Sequence, residues 1–484
     1  MPQYRFFTQN RSRKFGVAIA TVILALIAGL TQILVSAQKP EAKSSSSPSA
    51  DASESMGQCS LGDSFEQAQQ KASLAENLAG SAQTAQDWNL VIIKWIQAIE
   101  GMQGVALSSP KRADAEKQAQ EYQQNLAIAQ LQATPLRQQL PFESFNSQFF
   151  NEQLLLYLSY TAAMGAPDIL IVGSSRAVQG VDPHQLRYDL ATQGKEGLKI
   201  FNFGINGATT QVVDLILREI VSPNQQPKLI IWADGLRSFN SGRKDITYNG
   251  LAASRGYQVL SAGISPQLGI NPILINSSCQ LIPFSSISRD SLLSRNLAES
   301  LLPSPKILSP AQFDSLSGRK SAFQDFLPAP GKRALAAEII GTDANGFLAI
   351  ATRFNPGTYY QQNARIAGNY DADYLDFNLN GKQTVALNRI IAHSKKLNIP
   401  VVFVNIPLSN EYLDEIRLAY EQEFSQWMQQ QANTQGFIFI DLLTKWGNEN
   451  SYFQDPSHLN RYGAIAVSRE LANHPEIKSA VTRD

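Results

Sequence analysis

The stretch Ile169-Leu170-Ile171-Val172-Gly173-Ser174-Ser175-Arg176-Ala177 is four apolar residues, a glycine and then a polar turn. A short, wholly apolar run that stops at glycine suits a strand buried on both faces of a parallel sheet. Four further runs share the pattern, at 199–203, 229–232, 401–404 and 437–440. Helical stretches near 184–192, 210–221, 383–397 and 411–431 separate them, and a last helix is expected at 464–473. Strand alternating with helix predicts an α/β fold, a three-layer sandwich of about five parallel strands with right-handed crossovers. Residues 150–474 are its expected extent. A stretch at about 242–381, rich in Ser, Pro, Gly and Asn, breaks the alternation. A segment that long without strand or helix signals is usually functional or a subdomain. It is read as an insertion beside the C-terminal edge of the sheet, where such folds bind ligands.

Upstream, 59–135 is rich in Ala and Gln. Trp88, Ile92, Trp95, Ile96, Ile99 and Met102 fall on one face of a helix, and Ala115, Ala119, Tyr122, Leu126 and Ala129 on one face of another. Ser108-Ser109-Pro110 separates the two. The pair predicts a helical hairpin, serving as a packing spacer or a partner-binding module. Residues 15–37, FGVAIATVILALIAGLTQILVSA, carry no charge and follow Arg5, Arg11, Arg13 and Lys14. About 20 apolar residues span a bilayer, and flanking positive charge stays cytoplasmic. The expectation is a cytoplasmic 1–14, a single inner-membrane span at 15–37, a Ser-rich linker at 38–58 and an extracytoplasmic, periplasmic bulk. A cleaved signal peptide, ending near Val35-Ser36-Ala37, is the alternative. Either way the remainder is exported.

Composition narrows the classes. Of 484 residues, 41 are Lys or Arg and 41 Asp or Glu, so the formal net charge is zero. A nucleic-acid binder usually carries a basic excess. With 43% hydrophobic and only 17% charged residues, wholesale disorder is excluded. Two cysteines, Cys59 and Cys279, are too few for a disulfide scaffold, though an exported chain permits them to pair. With four histidines besides, no metal site and no cofactor are expected.

Three segments carry chemistry. Gly173-Ser174-Ser175 places a serine hydroxyl at the end of the first strand, where it is a nucleophile if a base activates it and a helix cap if none does. Phe203-Gly204-Ile205-Asn206-Gly207 follows the second strand, and a free glycine N–H there could face a developing oxyanion. Asp455-Pro456-Ser457-His458-Leu459-Asn460 lies near the end of the chain. An Asp three residues before a His can reach back to its Nδ1 and leave Nε2 for the serine.

In this order the segments resemble the SGNH (GDSL-like) hydrolase superfamily, whose fold is flavodoxin-like. Within it the chain looks like the exported, membrane-anchored branch of alginate O-acetylation proteins, the D-alanyl-lipoteichoic acid protein and a related bacterial family of unknown function. The resemblance covers about 168–242 and 383–473. It implies Ser175 as nucleophile, His458 as base, Asp455 as its orienter, and Gly207 with the Ser175 N–H as oxyanion hole. One block departs. The superfamily has an Asn amide after the third strand, and alignment puts Asp234 there, in Ile231-Trp232-Ala233-Asp234-Gly235-Leu236-Arg237-Ser238-Phe239-Asn240. A carboxylate would repel an oxyanion. Either Asp234 does something else, or Asn240 or Arg237 substitutes, or activity is low. Arg176 and Arg237 are candidate substrate-binding cations. A literal Gly62-Asp63-Ser64 follows the linker without a strand before it, and Ser64 with Gln67 fits a helix-opening capping box instead.

The implied function is acyl-ester chemistry, hydrolase or O-acyl (acetyl) transferase, on an envelope or extracellular glycan. A transferase there needs an acyl donor, handed over by a membrane-bound partner protein. The alternative is a non-catalytic envelope scaffold with a degenerate SGNH fold, which Asp234 favours and the intact Ser175, Asp455 and His458 oppose.

Overall fold

A strand buried on both faces must feed two cores, and alternate residues do so here. In the computed structural model, which describes residues 64–136, 140–270, 275 and 341–481, the central strands are β1 (Ile169–Gly173), β2 (Ile200–Gly204), β3 (Leu229–Asp234), β4 (Val401–Asn405) and β5 (Ile438–Asp441). Leu170, Val172, Phe201, Phe203, Ile230, Trp232 and Phe403 join one hydrophobic cluster. Ile169, Ile171, Ile200, Leu229, Ile231, Val402 and Val404, one residue out of phase, join the other. A one-residue slip would exchange the two sets.

All neighbours are parallel, in the order β2-β1-β3-β4-β5. This is a doubly wound order in which the chain leaves β1 toward β2 on one side and returns as β3 on the other. The expected α/β architecture and its five-stranded parallel sheet are therefore present. Register places Gly173 opposite both Gly204 and Ala233, Asp234 opposite Asn405, and Asn405 opposite Asp441. Glycine and polar residues thus gather at the C-terminal edge.

The 64–136 region is three helices rather than a hairpin: α1 (Ser64–Ala79), α2 (Ala85–Gln103) and α3 (Arg112–Leu136), with α2 packed against both others. A capping box between Thr84 and Asp87 opens α2. It separates α1 from α2, a break at Gly80–Gln83 that the Ala/Gln-rich composition obscured. Nor is the region a detached spacer. Trp95, Ile96 and Ile99 share the first cluster with the sheet. A fourth helix, α4 (Gln148–Met164), lies between this region and β2. It stacks Tyr157 on Phe203 at 4.8 Å. Its unbroken burial from Phe150 to Leu158, exposed Glu152 excepted, erased the periodic signal that would have announced it. On the opposite face, α5 (Ser175–Gly180), α6 (Pro183–Ala191) and the helix Arg461–Asn473 cover the sheet through Ala177, Leu186, Leu190, Val467 and Leu471.

The described parts of the insertion hold three short helices, Ile246–Ala252, Arg255–Ser261 and Pro356–Gln362. The helix expected at 411–431 begins four residues later, as Glu415–Gln435, because Asp414 caps it by accepting from the Arg417 N–H. The apolar span at 15–37, the linker, Gly62-Asp63 and both cysteines lie outside the described residues. No helix among the described residues is long and apolar enough to cross a membrane.

One buried ion pair ties the helical region to the sheet domain: Glu100 of α2 lies 2.6 Å from Arg187 of α6, with side chains 2% and 8% exposed. Asn345 donates to the same carboxylate at 2.6 Å. Removing one partner of such a pair typically costs about 3–5 kcal/mol, because the other charge stays buried. Arg187→Met is expected to destabilise the protein by that order, read as a lowered urea midpoint. Arg187→Met combined with Glu100→Gln should recover a large part of the loss.

Candidate active site

The turn after β1 is built on a glycine with no room for a side chain. Gly173 has φ +140°, and a Cβ there would meet the Ala233 carbonyl oxygen at 2.1 Å. The chain then turns into α5, with Ser174 as N-cap and Ser175 as first helical residue. Helix-start geometry leaves the Ser175 N–H without an intrahelical acceptor. After β2 the chain reaches Gly207, whose φ of +72° is left-handed. Among the described residues neither the Ser175 nor the Gly207 N–H has a backbone acceptor.

The last motif forms a small hairpin of β6 (Phe453–Asp455) and β7 (His458–Leu459), absent from the sequence reading. Asp455 Oδ1 accepts from the N–H groups of Ser457 (2.8 Å) and His458 (3.0 Å), which closes the turn. His458 Nδ1 lies 3.0 Å from Asp455 Oδ2, and His458 Nε2 lies 2.9 Å from Ser175 Oγ. Two motifs, with Ser175 and His458 283 positions apart in the sequence, thus meet in one hydrogen-bonded chain. Burial pushes the Asp455 carboxyl up, but its bonds to His458 and Ser457 outweigh this and hold it below its usual range. An ionised carboxylate on Nδ1 keeps the proton there and leaves Nε2 as acceptor toward the serine. The arrangement has the geometry for nucleophilic attack by Ser175.

Residues 359–476 match the family model of the DltD protein. No curated protein matches the chain. The DltD match takes in Asp455 and His458 but not Ser175, and extends over about a quarter of the chain.

The aligned third block does something other than face an oxyanion. Asp234 is wholly buried. Its Oδ2 accepts from the Ser174 N–H at 3.0 Å, and its Oδ1 from the Ser174 hydroxyl at 2.9 Å and the Gly235 N–H at 3.0 Å. Burial pushes this carboxyl up, against hydrogen bonds from Ser238 and Ser174 and the charges of Arg176 and Arg237. Asn240 does not substitute either. Its amide donates to the Asp373 and Leu375 carbonyls, at 3.1 and 3.0 Å, and its oxygen accepts from Gly242 and Asn378. Both its amide hydrogens are committed to holding the insertion. Arg237 is largely buried and lies 3.6 Å from Asp373. Arg176, expected at the substrate, is 3% exposed and packs inward.

Several positioning residues had no assigned role in the sequence reading. Asn202, in the middle of β2, donates to the Ala177 and Val181 carbonyls at 2.8 and 2.9 Å and so holds α5. Asn460 donates to the Thr352, Ser451 and Phe453 carbonyls and caps the following helix through its oxygen. Ser409, after β4, donates to the Pro456 carbonyl at 2.8 Å inside the Asp–His turn. The signal for Asn202 was present: one amide inside the apolar run Ile200-Phe201-Asn202-Phe203 is the informative kind of exception.

Asp234 is surrounded by donors, so an amide in its place faces a donor with its own NH₂ in either orientation: Ser174 N–H on one side, Gly235 N–H on the other. Asp234→Asn is expected to displace the turn and lower kcat/KM for an aryl acetate. A shift of about 1 Å at a nucleophile can cost about 10²-fold. A rise in kcat/KM would show that the carboxylate faces the oxyanion after all.

Proposed function

We propose that this chain is an extracytoplasmic acyl-ester enzyme, a hydrolase or O-acyl transferase working on an envelope polymer. The observation that carries the reading is the unbroken chain from Asp455 through His458 to Ser175, with contacts of 3.0 and 2.9 Å. The Ser175 and Gly207 N–H groups, which have no backbone acceptor, are the candidates for an oxyanion site, and the resemblance to the DltD protein supports an envelope polymer, since that family belongs to D-alanyl-lipoteichoic acid biosynthesis.

In this reading Ser175 Oγ attacks the acyl carbonyl carbon while its proton passes to His458 Nε2. The carbonyl π electrons move to oxygen, and the oxyanion accepts from the Ser175 and Gly207 N–H groups. Collapse breaks the bond to the leaving group, which takes the proton from His458. An acyl ester on Ser175 remains. Water or a sugar hydroxyl then attacks it and gives its proton to His458, and collapse frees the serine, whose oxygen takes that proton back. The two reactions differ only in the second nucleophile. A membrane-bound partner supplying the acyl group fits the transferase form, with the apolar 15–37 stretch as the anchor. The scaffold reading loses its main support, because Asp234 binds the turn rather than opposing an oxyanion.

The test is kinetic. Ser175→Ala and His458→Ala are each expected to abolish p-nitrophenyl acetate turnover and labelling by a fluorophosphonate, with the melting temperature retained. Asp455→Asn should lose most activity, since the imidazole then holds the wrong tautomer. Members of such a unit are not additive, so the Ser175→Ala/His458→Ala double variant should be no worse than the worse single. Ser64→Ala, at the exposed start of α1, should change nothing. Wild-type rates in Ser175→Ala would end the proposal.

A further inference from the structure

We propose that Arg176 is a positioning residue for the Ser175 nucleophile, acting through its buried positive charge on the Asp234 carboxylate that clamps the turn. The inference rests on the reading of Ser175 as the nucleophile. Four observations support it. Arg176 follows Ser175 in α5 and is 3% exposed, so it is out of reach of a substrate. Its guanidinium lies against the backbone just after Asp234: a Cβ on Gly235 would sit 2.0 Å from Nη1. The charged and phenolic groups whose fields act on it are, largest first, Glu421, Tyr374, Tyr412 and Asp234. Finally, Glu421 is itself fully buried and accepts from the Tyr374 hydroxyl at 2.7 Å. Arg176, Asp234 and Glu421 are thus all closed to solvent, and both carboxyl groups act on the arginine through their charge rather than through an ion-pair contact.

Arg176 Nε and Nη1 make no direct hydrogen bond to protein atoms. The coupling is therefore through charge, which acts strongly where water is excluded. As a carboxylate Asp234 accepts from Ser174 and Gly235 at both oxygens with charge-assisted strength. Without a nearby cation, burial would drive a proton onto it. A protonated Asp234 would lose the charge-assisted strength of these bonds and reverse the Ser174 hydroxyl, which loosens the Ser174–Ser175 turn. Gly235 has no side chain to obstruct the arginine, which accounts for glycine at that position.

The test separates charge, substrate binding and folding. Aryl acetate kinetics, fluorophosphonate labelling rates and melting temperatures are compared for wild type, Arg176→Gln, Arg176→Lys and Arg176→Gln/Glu421→Gln. Arg176→Gln is expected to lose about 10²-fold in kcat, the order set by a small misplacement of a nucleophile. KM should stay within about threefold and labelling should slow in parallel. Arg176→Lys keeps the charge and should recover most of kcat. If Arg176→Gln does not fold, the double variant decides, because it removes the second carboxylate and with it the unbalanced charge. There kcat should remain low, since Asp234 still lacks the Arg176 charge, the larger of the two cationic influences on it. The inference is overturned by a folded Arg176→Gln with wild-type kcat, by a raised KM with kcat untouched, by Arg176→Lys as impaired as Arg176→Gln, or by wild-type kcat in the double variant. A wild type that neither turns over the ester nor labels refutes instead the nucleophile reading beneath it.

Discussion

The site depends on a carboxylate that takes no part in the chemistry proposed for it. Asp234 ends β3 and accepts three hydrogen bonds at about 3 Å, two from Ser174 and one from Gly235. β3 is the neighbour of β1 on the side away from β2, so this clamp joins the turn carrying Ser175 to the next strand across the point where the sheet order reverses. Gly173 lets the two backbones come close enough for the bonds to form. A serine at the end of a strand is ordinarily a capping residue on a mobile turn. Here Ser174 does the capping, and Ser175 is fixed with its hydroxyl 2.9 Å from His458 Nε2.

Much of the fold was legible because the strands obey a strict rule. Runs such as Ile169–Val172 and Leu229–Trp232 contain no polar residue, and only a sheet covered on both faces accepts such runs in water. What was not legible has physical causes. Helix α4 is buried nearly all round, so it lacks the 3.6-residue pattern that amphipathic helices show. The break between α1 and α2 is set by a capping box at Thr84 and Asp87, a weak signal in a stretch of helix formers. The hairpin β6–β7 is too short for a period, and its geometry comes from Asp455 accepting backbone N–H groups.

For the site, residue type and spacing were informative where the chemistry is local and misleading where it is not. Asp455 and His458 are three residues apart, and their contact follows from a turn. Asp234 and Asn240 were weighed against a role that depends on where a side chain points, and pointing is decided by tertiary partners. Asn240 turns to the 373–375 carbonyls and Asp234 to the Ser174 turn. Arg176 shows the same limit: its charge suggested a surface, and its side chain is 3% exposed and packs inward against Gly235.

Ser175 and His458 come from distant parts of the chain, and a third segment bonds to the elements that carry both. Residues 343–354 form a strap that opens on a turn at 344–346 and then continues without helix or strand. Asn345 O accepts from the Asn202 N–H at the edge of β2, Leu348 N–H donates to Val178 O of α5, and Phe354 N–H donates to Phe453 O of the hairpin. The Arg461 N–H, at the start of the helix after His458, donates to Ile350 O. The strap therefore touches both halves of the Ser175–His458 pair. At its N-terminal end it is anchored in the helical region, where Asn345 donates to Glu100 and the Ala344 N–H to Gln123. Helices α2 and α3 consequently hold the strap that links the Ser175 turn to the His458 hairpin. That the DltD match begins at Tyr359, just beyond the strap, is consistent with this division: the base-bearing half has a recognisable pattern of its own, whereas the strap works through backbone hydrogen bonds, which constrain sequence only weakly.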